Sequence, residues 1–549
     1  MIGYTCKYVP IEIFAGFDES CELLNREAEQ FVYAQSRMHP NMCSHVKAVL
    51  EELHTGEADQ VVLTNCCDSM RRLYDVLDGE NLSFRYLLEI PVDDSGCAVL
   101  KLQRDFLKLI DDFERFSKKR FNKKKFLEAF SPKNSAPGAP YIALLGARSN
   151  RALKSVLQNC FSLPVYDLTC ANNRAVSLPD VKDEESIEAL MLAYARAILS
   201  QTPCMRMRDK GRRAGLLKET GCAGIIYHTV KFCDFYDFEY SELKDSSLPL
   251  LKIETDFTKQ SYGQLLTRAE GFAERIEKGN REKKMVTYNR NGLYYAGIDS
   301  GSTSTELVLL DEKRNVVKKV MVRTGANAGN GAQKAMEAAG VKKADLKYLI
   351  TTGYGRKNIG FADDNVTEIT CHAKGASHLV GGTRTIIDIG GQDSKVIFLD
   401  ENGKVINFVM NDKCAAGTGR FLENMAKVLE ISLDEMASVG LGYKKDLTIS
   451  SMCTVFAESE VVSLIAENES VADIVHGLNK SIAAKTKTLA RNMPEGGPVV
   501  MTGGVGNNRG VVAELEKQLE KRVIVPQYPE YCGALGAALI AYETAAINE

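Results

Sequence analysis

The stretch GIDSGSTST, Gly297–Thr305, decides how the C-terminal half of this chain is read. The residues Tyr295–Ile298 form a short apolar run that reads as a strand, Asp299 ends it, and glycine and hydroxyl side chains follow. Such a turn offers backbone N–H groups and hydroxyls to phosphate oxygens, and a carboxylate beside it suits a hard cation such as Mg²⁺. The pattern recurs in IDIGGQDSK, Ile387–Lys395, where the apolar run Thr385–Ile389 carries Asp388 and leads into glycines. A third strand and double glycine appear in VVMTGGVGNN, Val499–Asn508. Two residues without a Cβ let a flat ligand come close to the backbone there. One such turn is as readily a tight strand–helix loop. Three of them, two with a strand-end Asp, point to a nucleotide site. No GxxxxGK[ST] occurs, so the site is not a P-loop.

The arrangement resembles the two-lobed actin/Hsp70/sugar-kinase (ASKHA) ATPase superfamily. That resemblance implies ATP and Mg²⁺, with Asp299 and Asp388 facing each other across the cleft as the catalytic pair that organises the metal and the attacking water. It assigns the phosphates to Gly301, Ser302, Thr303, Ser304 and Thr305 and to Gly390, Gly391 and Gln392, and the adenosine to Gly503 and Gly504. The rivals are a small-molecule kinase of the same superfamily and a cluster-free ATP-binding regulatory module.

The whole chain has 549 residues, enough for about three or four domains. Two polar, charged or Pro/Gly-containing segments, Ser117–Pro140 and Glu277–Gly292, divide it into 1–120, 138–278 and 292–549. In the first two blocks, apolar runs at Gln60–Thr64, Tyr141–Leu145, Gly224–Tyr227 and Pro249–Ile253 alternate with helical stretches such as His45–Leu53. That alternation predicts a parallel α/β sheet in each. The fold class is therefore α/β, with two Rossmann-like domains followed by an actin/Hsp70-like ATPase. The basic segment Lys118–Lys125 reads as a solvated linker helix rather than a docking surface. A formal net charge of −3 argues against a nucleic-acid partner. No basic leader with an apolar core and no apolar run of about 18 residues occurs, so neither secretion nor a membrane span is expected and the location reads as cytoplasmic.

The 15 cysteines are the anomaly. An odd count, scattered and without a secretory signal, is not a disulfide framework. No CxxC occurs, which disfavours zinc ribbons, thioredoxin sites and ferredoxin-type loops. Any cluster must gather its ligands from distant segments or from two chains. In NDKCAAGTGRFLENMAKVLE, Asn411–Glu430, Cys414 precedes a glycine-containing turn that opens an amphipathic helix. The stretch CTVFAESEVVSLIAE starts at Cys453 and is also helical. A helix N-terminus lowers a thiolate's pKa and favours an anionic group. A cluster usually needs four thiolates, so two per subunit would be completed across the twofold axis of a symmetric dimer.

From Gly297 onward the chain resembles the activator ATPases of 2-hydroxyacyl-CoA dehydratases, the family that includes the ATPase subunits of benzoyl-CoA reductases. The stretches that carry this are GIDSGSTST, TTGYGR (Thr351–Arg356), TEITCHAKGA (Thr367–Ala376), IDIGGQDSKVI, NDKCAAGTGRFLENMA, CTVFAESEV, MTGGV and GALGAA (Gly533–Ala538). The resemblance implies a homodimer with one bridging 4Fe–4S cluster on Cys414 and Cys453, and ATP-driven delivery of one low-potential electron. It also implies a ferredoxin or flavodoxin donor and a dehydratase or double-cubane acceptor. Cys371 is read as buried and unassigned, and Cys532 as structural.

The first half resembles the dehydratase D-component, through GYTCKYVP (Gly3–Pro10), HPNMCSHVK (His39–Lys47), VVLTNCCDSMRRLYDV (Val61–Val76), IIYHTVKFCDFYDFEY (Ile225–Tyr240) and PLLKIETDFTKQSYGQLLTR (Pro249–Arg268). This implies a second iron–sulfur cluster, held by Cys43, Cys67 and Cys233, with Cys66 competing with Cys67 and Cys6 in reserve. The N-terminal half then reads as an acceptor for the electron in the same chain.

Overall fold

Runs such as Val61–Leu63 and Ile142–Leu145 are apolar at consecutive rather than alternate positions, the pattern of strands buried on both faces. In the computed structural model both belong to parallel sheets. The structure describes residues 1–56, 58–130, 140–171, 174–178, 186–208, 221–243, 248–259, 262–277, 289, 291–411, 417–449 and 454–547. They form two units, Met1–Glu277 and Lys278–Glu549.

The first unit holds two sheets. One consists of β1 (Ile2–Tyr4), β2 (Cys21–Leu23), β3 (Gln60–Thr64) and β4 (Phe84–Leu88), in the order β2-β1-β3-β4. The other consists of β5 (Tyr141–Gly146), β6 (Val165–Asp167), β7 (Cys222–Val230) and β8 (Leu250–Thr255), in the order β6-β5-β7-β8. Every pairing is parallel. The topology is the same in both: the chain steps to one side of the first strand and then crosses to the other. In such sheets the reversal opens a crevice at the carboxyl ends of the strands, the usual ligand position.

One apolar core joins Val46, Val49 and Leu53 of the helix Ser44–His54 to Val61 and Leu63 of β3 and to Ala143, Ile225 and Tyr227 of the second sheet. A second core joins Ile2, Val62 and Leu88 to the helices Gly96–Ser117 and Ile187–Leu199. The latter helix lies between β6 and β7 in sequence, so the two sheets exchange support within the unit. Arg174 also binds both carboxylate oxygens of Glu12 at 2.6 Å. The basic segment is fastened rather than free. It includes the start of the helix Lys123–Glu128, whose Phe126 is fully buried, and Lys119 pairs with Glu19 at 2.7 Å.

The second unit repeats one five-stranded design. Its first sheet has β9 (Tyr294–Ser300), β10 (Ser304–Leu310), β11 (Val316–Arg323), β12 (Leu346–Thr352) and β13 (Asp364–Asn365), ordered β11-β10-β9-β12-β13. Its second has β14 (Thr385–Ile389), β15 (Ser394–Leu399), β16 (Val405–Asn411), β17 (Val499–Thr502) and β18 (Val523–Ile524), ordered β16-β15-β14-β17-β18. In each, an antiparallel meander is followed by two parallel additions. The duplication puts β9 with Asp299 and β14 with Asp388 at equivalent places in the two lobes. The first two glycine turns are therefore hairpin turns, and the third leads through Gly504–Asn507 into the helix Arg509–Leu519. The helices Glu368–Leu379 and Cys532–Ile547 pack together, and the second of them buries Ala534, Ala537 and Ala538 against the first sheet. Among the described residues no helix is long and apolar enough to cross a membrane.

Candidate functional site

The cleft of the second unit is built on Asp299 and Asp388. Antiparallel pairing sets Glu306 opposite Asp299, and parallel pairing sets Thr352 beside it. Asp388 is level with Thr502, whose hydroxyl donates to its Oδ1 at 3.0 Å. His372, on the helix Glu368–Leu379, stands between the two aspartates. Its Nε2 lies 3.7 Å from Asp299 Oδ2 and its Nδ1 lies 3.5 Å from Asp388 Oδ1 and 3.1 Å from Thr502 Oγ1. The ring is 7 % exposed, and Asp388 4 %. Burial alone would drive the proton off His372, but Asp388 and Asp299 outweigh it and hold the imidazole well above its usual range. Burial also pushes Asp388 up, but His372 and Lys395, with the Thr502 hydrogen bond, bring it below the ordinary carboxylate range.

Lys395 is the second buried cation. Its Nζ lies 2.9 Å from Asp393, 3.3 Å from Asp388 Oδ2 and 3.4 Å from Glu368 Oε1. Burial lowers its affinity for the proton, but the three carboxylates more than restore it. Glu306 is pushed up to about 8, first by burial and then by the charge on Asp299. It therefore holds its proton at neutral pH.

The residues fit a metal–phosphate group. A Cβ on Gly353 would meet Asp299 Oδ1 at 2.3 Å, and one on Gly533 would meet Oδ2 at 2.0 Å, so only glycines can cradle this carboxylate. The hydroxyls of Ser300, Thr303 and Thr352 are buried without a hydrogen-bond partner among the described residues. Orphaned donors of this kind are rare in folded proteins and mark a place where a bound group can satisfy them. The first two glycine turns touch, since Thr303 Oγ1 lies 2.4 Å from where a Cβ of Gly391 would be. Gly301, Ser302 and Ser304 are half-buried in the first turn, while Gly390 is half-buried and Gln392 exposed in the second. Thr305 is turned inward, with its hydroxyl 2.9 Å from that of Thr324. Gly503 adopts φ +81°, and beside Gly504 the space is open. Cys371 and Cys532 are buried, and Cys532 Sγ donates to His372 O at 3.8 Å.

Cys414 and Cys453 lie outside the described residues. The helices that follow them, Gly419–Val428 and Thr454–Ala466, pack on each other.

The first unit gathers thiols at its strand ends. Cys43 is the N-cap residue of the helix Ser44–His54, and Cys67 that of the helix Asp68–Val76. Cys233 lies between β7 and the helix Asp234–Leu243. Cys43 and Cys233 act on each other. The neighbouring Cys233, with the backbone of Val46 and His45, brings the Cys43 thiol down to about 7 against the effect of burial. Cys43 and burial push Cys233 up. Cys66 and burial push the Cys6 thiol up, and Cys66, beside Cys6 and Cys67, is raised as well. Among the described residues no three His, Cys, Asp or Glu side chains converge on a point as the ligands of one metal ion do. A cubane takes its thiolates on separate irons, so its ligands stand apart. The thirteen described cysteines are all free thiols.

Glu306, Glu368, His372, Lys395 and Thr502 have no role legible in the sequence alone, although each lies in or next to one of the stretches quoted above. The same is true of Arg148, which is 4 % exposed and bears on Cys43, and of His45, which is 6 % exposed.

Residues 296–541 match the family model described as the BadF/BadG/BcrA/BcrD ATPase family. Residues 6–158 and 139–276 match that of the 2-hydroxyglutaryl-CoA dehydratase D-component. The 2-hydroxyisocaproyl-CoA dehydratase activator of Clostridioides difficile is 43% identical over 257 residues, covering 46% of this chain and 96% of its own length. The activator of lactoyl-CoA dehydratase of Anaerotignum propionicum is 48% identical over 256 residues, covering 46% and 99%. The (R)-2-hydroxyglutaryl-CoA dehydratase activating ATPase of Acidaminococcus fermentans is 44% identical over 258 residues, again covering 46% and 99%.

Proposed function

Because this chain belongs to the BadF/BadG/BcrA/BcrD ATPase family, we propose that it hydrolyses ATP to deliver low-potential electrons to a 2-hydroxyacyl-CoA dehydratase-type or double-cubane-type acceptor. The carrying observation is that three proteins named as dehydratase activators or an activating ATPase align over 96% or more of their length at 43% identity or better. The match of residues 6–276 to a dehydratase component supports an acceptor within the same chain.

In this reading Asp299, cradled by Gly353 and Gly533, holds the Mg²⁺ of the nucleotide. Asp388, kept ionised by His372 and Lys395, orients the attacking water. The touching turns at Gly301–Ser304 and Gly390–Gln392 receive the phosphates, and the open side of Gly504 takes the adenosine. His372 offsets two carboxylates that would otherwise repel each other. A 4Fe–4S cluster on Cys414 and Cys453 of two protomers supplies a one-electron couple, and such couples reach down to about −700 mV. Lowering a donor by ~200 mV takes roughly 5 kcal/mol for one electron, which a change of lobe closure driven by ATP hydrolysis can provide. Support for pairing of protomers comes from the helix Thr454–Ala466, which exposes Phe456, Val462 and Ile465.

The test is made without oxygen. With reduced ferredoxin or flavodoxin as donor, the purified protein should be brown and should activate a 2-hydroxyacyl-CoA dehydratase only while ATP is consumed. A colourless, iron-free protein after reconstitution would overturn the reading, as would phosphorylation of a sugar or an acid. The cleft adds its own check. Gly533→Ala places a methyl group on Asp299 Oδ2. Displacing that carboxylate by about 1 Å should lower the rate of phosphate release roughly 10²-fold.

A further inference from the structure

The two hairpin glycine turns of the second unit are each gripped from behind by the connection that follows the third strand of their lobe. In the first lobe that connection runs from β11 to the helix Ala328–Ala339 through residues 324–327. Its Thr324 holds the turn between β9 and β10, with its hydroxyl on Gly301 O at 2.8 Å and its N–H on Thr303 O at 3.1 Å. In the second lobe the matching connection, from β16 to the helix Gly419–Val428, runs through residues 412–418. Here the grip comes from the helix start: Gly419 N–H donates to Gly390 O at 2.8 Å and Arg420 N–H to Gly391 O at 2.9 Å. Ser394, at the start of β15, donates its buried hydroxyl to Gly417 O at 3.2 Å. The second-lobe connection is the longer of the two, and Cys414 is one of its residues.

The first N–H groups of a helix have no partner inside it. In this helix two of them go to carbonyls of the second glycine turn, so the turn and the helix start are tied together. The fit leaves little slack. A Cβ on Gly419 would lie 3.2 Å from Gly390 O and 3.4 Å from Gly391 Cα, and Gly417 holds φ +108°, where a side chain would be strained. Peptide planarity gives the tie its direction. The C=O of Gly390 shares one rigid plane with the N–H of Gly391, and the C=O of Gly391 shares one with the N–H of Gln392. A phosphate that draws those N–H groups therefore tilts the carbonyls that Gly419 and Arg420 hold.

We propose that Gly419, Arg420 and Ser394 are the link that carries the state of the phosphate at the second glycine turn to the segment bearing Cys414. The link lies within one lobe and acts whether or not the two lobes close. It rests on the reading that Gly390–Gln392 receives a phosphate and that Cys414 holds a shared cluster.

The parent for the test is the full chain with Cys43, Cys67 and Cys233 as serines, so that iron is counted in the second unit. The readout is the rate at which bathophenanthroline disulfonate removes iron without oxygen, in ADP and in a non-hydrolysable ATP analogue. The two rates should differ about tenfold in the parent. Gly419→Pro deletes one N–H of the link. Proline suits the first position of a helix, and Thr418 before it is already extended. This variant should keep the parent's iron and its ATP turnover to within about threefold, with the two rates brought to within about twofold of each other. Ser394→Ala, which deletes only a hydroxyl, should narrow the difference to about threefold. Thr324→Val removes the corresponding hydroxyl in the first lobe, where the connection has no cysteine, and should keep the full difference. A full difference in both Gly419→Pro and Ser394→Ala overturns the link, and so does its equal loss in Thr324→Val. If Gly419→Pro fails to hold iron, Ser394→Ala decides alone. Equal rates in the parent overturn the link while the cluster reading stands, and a parent without iron overturns both.

Discussion

Replacing Asp299 by asparagine should lower ATP turnover roughly 10³-fold, a loss of about 4 kcal/mol of transition-state stabilisation. The expectation follows from how closely the carboxylate is confined. Gly353 and Gly533 leave its two oxygens no alternative position, and an amide presents only one oxygen to a cation. Glu306 is opposite in the hairpin, but at neutral pH it is protonated and cannot take over the charge. The same geometry predicts an effect on stability with a definite sign. The Glu306 carboxyl is raised in the folded state, so the native protein holds a proton that the unfolded chain releases above the ordinary glutamate range. Stability therefore falls as pH rises from about 4.5 toward 8. Asp299→Asn removes one of the charges that raise Glu306, so the decline should become shallower while turnover collapses. Phosphate release at saturating ATP and thermal melts at pH 5 and pH 8 measure the two effects. A variant with turnover within threefold of the parent would remove Asp299 from the metal site.

The contrast between Asp299 and its neighbours shows what a sequence can disclose. Asp299 and Asp388 were legible because each interrupts an apolar strand just before glycines, and an unpaired charge at such a point has few structural uses. Both strands and the turns after them lie where the pattern predicts, since consecutive apolar residues and glycine act locally. Glu306 was not legible. It lies in a strand whose other residues are apolar, and its meaning comes from the residue opposite it across a hairpin. His372 lies within TEITCHAKGA, yet a histidine on a helix shows no sign of bridging two strands that begin 91 residues apart in the chain, at Tyr294 and Thr385. Lys395 acquires its role only when Asp388, Asp393 and Glu368 converge on it. Local chemistry was readable, whereas charge compensation between distant segments was not.

Cys414→Ser should strip the second unit of its iron altogether and leave ATP hydrolysis within about twofold of the parent. The size of the effect comes from symmetry. If two protomers share one cluster, a single substitution removes one thiolate from each, and so half of the four that such a cluster needs. In a cluster held by four cysteines of one chain, the same change would remove a quarter of the set and leave a weakened centre. The measurement is iron per dimer and visible absorbance, read in a chain whose first-unit thiols Cys43, Cys67 and Cys233 are serines. The expected values are about four irons before the change and near zero after it. Retention of most of the iron would exclude sharing across a twofold axis. A substitution away from any thiol separates pairing from ligation. Phe456 is 66% exposed on the helix that starts directly after Cys453. A glutamate there adds charge to a surface that also exposes Val462 and Ile465. If that surface joins the protomers, Phe456→Glu should yield monomers by light scattering and lose iron to the same extent as Cys414→Ser, with every cysteine of the second unit still in place.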